Sequence, residues 1–164
     1  MSLTPPPPAP ISPGPISPGP ISPGPTSSQP AAPVPATSGR DRPLAILLAS
    51  PSHGKAHAAF VLAAGAAALG RSVVLFATNA GCRALLADLG GLEDAEREQR
   101  VQAAGVAGLA ELREAARELG VRLIACESGL RAEGLQAAPL CPGVEVAGVA
   151  SFLVAAGSGQ IVGL

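Results

Sequence analysis

The chain has 164 residues, a formal net charge of −1 at pH 7 and a pI near 6.1, a balance that supplies no field to draw in nucleic acid or an anionic membrane. Three Phe with no Trp and no Tyr leave no platform on which single-stranded bases could stack. Three Cys are too few, and odd in number, for a secreted disulfide scaffold, so a reducing cytoplasm is the expected compartment.

Fifteen of the 18 Pro precede Leu44, and Pro-Ile-Ser-Pro-Gly repeats from Pro10, Pro15 and Pro20. Proline fixes φ and removes a backbone donor, so neither a helix nor a sheet ladder is open to this stretch. Its isolated Ile and Val residues cannot offset the ordering entropy. Residues 1–42 therefore read as a disordered Pro/Gly/Ser-rich tail, a spacer rather than a ligand for a Pro-binding module, and residues 43–164 as one folded domain. Met1-Ser2-Leu3-Thr4 runs into Pro5 without the basic and apolar regions of a secretory signal. The longest apolar run, Ala58 to Gly70, is short and rich in Ala and Gly, so no membrane span is expected.

Leu44 to Ala49 is a solid apolar run, the signature of a strand buried on both faces. Ser50-Pro51-Ser52 then supplies a turn and a helix N-cap. Lys55 to Leu69 follows as a small-residue helix closed by Gly70. Ser72 to Ala77 is the second strand, 78–81 a turn and Cys82 to Leu89 a short helix. Glu93 to Arg100, with six charges in eight residues, reads as a solvated excursion. Gly108 to Leu119 is amphipathic, with Leu109, Leu112, Ala116 and Leu119 on one face. Val121 to Cys126 is the third strand, Ser128 to Gly134 a short helix, Ala147 to Ala156 the last helix and Gln160 to Leu164 a terminal strand. Solid strands alternating with helices predict an α/β domain: a small parallel sheet of four or five strands with helices on both faces, flavodoxin-like or Rossmann-like in outline. Right-handed crossovers bring residues 50–57, 77–82 and 126–134 to the carboxyl edge of that sheet.

That edge carries no familiar phosphate loop. Gly54-Lys55 resembles the end of a Walker A loop, but Ala49 and Ala56 stand where it needs Gly and Ser or Thr. No G-x-G-x-x-G follows a strand. Residues 50–54 could still wrap a phosphate at a helix N-terminus, although nothing is present to sandwich a flavin. His53 and His57 have the i,i+4 spacing of a metal pair, yet no Glu lies between them and no third ligand is evident, so neither a metal nor a cofactor is expected. With Lys55 they form a candidate solvent-accessible electropositive rim. Cys126 ends the third strand just before Ser128. A thiol there faces unpaired N–H groups, which favour the thiolate and nucleophilic or sulfur-transfer chemistry. The plain alternative is a small buried apolar residue. Cys82 holds a similar place after the second strand and is a possible partner thiol, and Cys141 sits in a loop.

Several segments together resemble a known family. They are residues 44–49 leading into the helix that ends Ala-Ala-Ala-Leu-Gly, residues 72–81, Leu109-x-x-Leu112, Gly-Val-x-x-x-x-Cys-x-Ser-x-x-x-x-x-Gly over 120–134, and Val144-Glu-Val-Ala-Gly148. They are similar to the DsrE/DsrF-like sulfur-carrier family, also described as peroxiredoxin-like. The resemblance implies a small parallel α/β sheet, a homo-oligomer, and a cysteine that carries sulfane sulfur as a persulfide between sulfur-donor and sulfur-acceptor proteins. That role falls on Cys126, with His53, Lys55, His57 and Ser128 as anion-holding residues. Some relatives place a second Cys within the helix after the first, whereas residues 128–134 contain none. The competing readings are a non-catalytic module that holds a small anion or nucleotide, and a purely structural oligomer subunit.

Overall fold

The computed structural model describes residues 42–164, so the expected disorder of the tail lies outside the described residues except at Arg42. The strands are β1 (Leu44–Leu48), β2 (Val73–Ala77), β3 (Arg122–Cys126), β4 (Val144–Ala147) and β5 (Gln160–Gly163), and the sheet order is β4-β3-β2-β1-β5. Every pairing is parallel. β1, β2 and β3 are the solid apolar runs of the sequence, and their side chains are buried almost throughout. From β1 to β4 the chain steps in one direction across the sheet, then returns to lay β5 against β1. With right-handed crossovers that reversal places the last helix on the face opposite the earlier ones. Packing agrees: α1 (His53–Ala68) lies against α3 (Leu109–Glu118), whereas α5 (Val149–Ala156) sends Phe152 onto Phe76 of β2 with ring centroids 5.0 Å apart.

α1 buries Ala56, Ala59, Phe60 and Ala63 along one stripe, and the three alanines let the helix approach the strands closely. Gly70 ends it at φ 81°, a left-handed conformation that costs residues with a Cβ, and donates its N–H to the Ala67 carbonyl at 2.8 Å. α3 begins where the Glu111 carboxylate accepts the Gly108 N–H at 3.1 Å.

Four local features differ from the sequence reading. Residues 79–85 wind as a 3-10 helix where a turn and a helix over 82–89 were predicted. α2 (Arg97–Ala103) occupies the charged excursion. None of its residues is buried, so no apolar period marks it. β4 stands where the sequence reading assigned no element to 144–146 and began the last helix at Ala147. It is a four-residue edge strand that spends one position on Glu145, paired to Arg122 of β3 through two hydrogen bonds of 3.0 and 2.9 Å. α5 accordingly starts at Val149 rather than Ala147. Among the described residues no helix is long and apolar enough to cross a membrane.

Candidate functional site

Cys126 closes β3 at the carboxyl edge of the sheet and is only 4% exposed. The helix after it, α4 (Glu127–Ala132), begins one residue earlier than Ser128, and Cys126 itself is the N-cap. Its sulfur does the work of a capping oxygen, accepting the Gly129 N–H at 3.4 Å. The Ser128 hydroxyl lies 3.1 Å from the same sulfur. The nearby Thr78 hydroxyl also favours the ionised form of this sulfur. Parallel pairing matches Ala77 to Ala125, so the next residue of each strand, Thr78 and Cys126, stand side by side. Burial opposes ionisation of this thiol, but the hydroxyls of Ser128 and Thr78 and the N–H groups of Gly129 and Ser128 outweigh it. The thiol is held below the ordinary value.

The other two cysteines behave differently. Cys82 lies within the 3-10 helix, is fully buried and donates its S–H to the Ala77 carbonyl at 3.3 Å. Burial raises its pKa to about 11, with the backbone of Cys126 opposing and the neighbouring Cys126 charge adding to it. Burial also raises Cys141 above its ordinary value. Of the three thiols only Cys126 is held below its ordinary value, which favours its thiolate relative to the other two.

The glycines beside the site are there for space. A Cβ on Gly129 would stand 2.6 Å from the Asn79 nitrogen, and 3.2 Å from both the Cys126 Cβ and the Cys82 sulfur. A Cβ on Gly81 would stand 2.3 Å from the Leu48 carbonyl oxygen. The 3-10 helix is therefore clamped between the end of β1 and the start of α4. Arg83 adds an ion pair from the 3-10 helix to Glu133 at 3.4 Å.

The predicted rim is corrected at two positions. His53, expected in solvent, is 1% exposed. Its Nε2 donates to the Glu98 carboxylate at 2.7 Å, because a carboxylate can only accept. Glu98 also accepts the Leu109 N–H at 2.9 Å, and these bonds hold its carboxyl below the usual range against the cost of burial. His53 Nδ1 is buried with no hydrogen-bond partner among the described residues. His57 stacks on His53 at 6.2 Å and bonds the Ala107 carbonyl at 2.9 Å. Both imidazoles therefore fasten the segment around α2 and α3 onto α1. Lys55 is exposed, as predicted. The loop that could have wrapped a phosphate is used internally. The His53 N–H donates to the Glu93 carbonyl at 3.0 Å, and the Ser52 N–H to the Ser50 hydroxyl at 3.2 Å. Among the described residues no group of His, Cys, Asp and Glu could hold a metal ion.

Thr78, Arg83 and Glu98 were missed from sequence. The signal for Thr78 was present in principle, since it follows β2 by one residue as Cys126 closes β3. Glu98 lay hidden in a charge run that looked solvated.

The described domain is thus a small all-parallel α/β unit with an activated cysteine at its carboxyl edge. Residues 86–162 match the DsrE/DsrF/DrsH-like family. Sulfur carrier protein DsrE2 of Allochromatium vinosum is 30% identical over 150 residues, an alignment covering 72% of this chain and 94% of that protein. The chain belongs to this family. The crystal structure of the ychN protein from E. coli shares the fold, with a TM-score of 0.58 at 16% identity over 75% of this chain and 99% of that one.

Proposed function

We propose that this protein is a sulfur carrier that holds sulfane sulfur as a persulfide on Cys126 and passes it to an acceptor thiol. The observation that carries the reading is the convergence of the Ser128 hydroxyl, the Thr78 hydroxyl and the Gly129 N–H on one sulfur at the sheet's carboxyl edge. Membership of the DsrE/DsrF/DrsH-like family, and the name of the Allochromatium relative, support it.

In the loading step the Cys126 thiolate attacks the outer sulfur of a donor persulfide or polysulfide. A Cys126–sulfur bond forms, the donor's sulfur–sulfur bond breaks, and the donor leaves as a thiolate or a shortened polysulfide. In unloading, an acceptor thiolate attacks the outer sulfur and Cys126 leaves as thiolate. Loading needs Cys126 as a thiolate nucleophile and unloading needs it as a leaving group, and a stabilised thiolate serves both. Donor and acceptor are other sulfur-handling thiols, with Lys55 drawing anionic donors to this edge. A module that only holds an anion at the start of α1 is disfavoured, because backbone donors there already serve Glu93 and Ser50.

Intact-mass analysis after polysulfide exposure tests the reading. The wild-type chain and Cys141→Ser are expected to gain sulfur atoms, and Cys126→Ser to gain none. Equal uptake by Cys126→Ser and the wild-type chain overturns it.

A further inference from the structure

Cys82 is the one nucleophilic group at this edge to which the carrier chemistry gives no task. It is fully buried, so a reagent in solution cannot reach it. Its surroundings flank Cys126: the absent Cβ of Gly129 marks a point 3.2 Å from both the Cys82 sulfur and the Cys126 Cβ, so the two cysteines border one small space. The two thiols sit at the ends of adjacent parallel strands, one residue past the end of β3's pairing with β2 and five residues past the end of β2. A packing residue needs none of this. Ala or Val would fill the space without placing a second thiol beside the first.

We propose that Cys82 is an internal resolving thiol, which displaces whatever group Cys126 carries and closes a Cys82–Cys126 disulfide. The proposal rests on Cys126 being the reactive thiol, and it adds a second fate for the loaded protein. With a persulfide on Cys126, the Cys82 sulfur attacks the Cys126 sulfur. The new sulfur–sulfur bond forms, the bond to the outer sulfur breaks, and the outer sulfur leaves with the Cys82 proton as hydrogen sulfide. With a mixed disulfide from a low-molecular-weight disulfide, the same attack expels the small thiol. No further oxidant is consumed in either case, because the oxidising equivalent arrived with the adduct.

The electrostatics make the step conditional. Burial first, and then the negative charge on Cys126, keep Cys82 protonated in the unloaded protein. A mixed disulfide removes that charge and a persulfide moves it out to the outer sulfur, so in both cases Cys82 becomes easier to ionise once there is something to displace. The closed disulfide has no free thiol at this edge and cannot load again until it is reduced. The carrier thereby discharges and closes itself when no acceptor arrives.

The experiment uses the full chain carrying Cys141→Ser, with and without Cys82→Ser. One arm is exposed to oxidised glutathione and the other to polysulfide. Each is sampled over time by acid quench, intact mass and peptide mapping. The expected result is a transient adduct on Cys126 that gives way to a linked Cys82–Cys126 peptide, and an adduct that persists at least tenfold longer in Cys82→Ser. Cys82→Ala is run beside it, so that a folding defect of one substitution does not decide the outcome. Equal adduct lifetimes with and without Cys82, no linked peptide, or no adduct on Cys126 from either reagent overturns the proposal. Sulfur uptake without a linked peptide leaves the carrier reading standing while this one fails. A linked peptide from glutathione with no sulfur uptake from polysulfide does the reverse.

Discussion

Ser128→Ala removes one donor from the Cys126 sulfur and little else. The Ser128 side chain is exposed, and Ala is the better helix former, so folding stability should move by no more than about 0.5 kcal/mol. A hydrogen bond to a charged group contributes about 1.5–3 kcal/mol, and the lower end applies because water can reach this position. Losing about 1.5 kcal/mol cuts the thiolate population at a fixed pH below its midpoint about tenfold. The thiolate that remains is more basic and intrinsically about threefold more nucleophilic, so the net loss in rate is about threefold. The assay is the rate of Cys126 alkylation against pH, followed at the Cys126 peptide by mass spectrometry. Ser128→Ala should shift the profile to higher pH, slow the reaction below the wild-type midpoint and raise the plateau above it. Ser128→Thr should restore most of the wild-type profile. Superimposable profiles for Ser128→Ala and wild type would refute the argument that side-chain donors, acting against burial, set the ionisation of this thiol.

Glu98→Ala leaves the buried His53 with neither nitrogen paired and the Leu109 N–H unsatisfied, which should cost about 2–3 kcal/mol in denaturant unfolding. Because the folded pKa of Glu98 lies below its ordinary 4.5, its contribution is present above that value and is lost as pH falls through the folded pKa. Wild-type and Glu98→Ala unfolding midpoints should therefore converge in acid, and a gap that stays constant down to pH 2 excludes this account. Gly129→Ala drives a Cβ against the Asn79 backbone nitrogen and should cost about 1–3 kcal/mol in the same measurement, with slower alkylation of Cys126. Lys55→Ala should slow loading from anionic donors at low salt and leave it unchanged at high salt, and a defect independent of salt argues against steering. Deleting residues 1–41 should leave the thermal midpoint within a degree or two, and a fall of many degrees would show that this segment packs on the domain.

The sheet was legible where burial is complete. β1, β2 and β3 are covered on both faces apart from Arg122 at the start of β3, so nearly every position favours an apolar residue and a solid run results. β4 escaped because an edge strand is half solvated, and Glu145 answers Arg122 rather than the core. Cys126 was legible by position alone, as a thiol ending a buried strand. Its partners were not: Thr78 is 48 residues away in sequence, and only the register of two strands places it beside the sulfur. His53 misled for a related reason. A histidine on the first turn of a helix reads as exposed unless a partner is known, and that partner, Glu98, sits 45 residues on in a run of charges whose other members do face water.

The side-by-side placement of Thr78 and Cys126 has a bearing on how such a chain tolerates drift. The two residues are aligned by the ladder between β2 and β3, not by the long connection that joins those strands. The stretch from Ala87 to Gly91, which includes the exposed Gly90 and Gly91, can therefore gain or lose residues without altering the spacing at the sulfur. A single insertion inside β2 would turn Thr78 to the other face of the sheet and remove its hydroxyl from the site. Relatives that keep the chemistry are accordingly free to vary in length across this connection while β2 and β3 stay fixed in length, so apparent gaps in an alignment there carry little information about whether the site is intact.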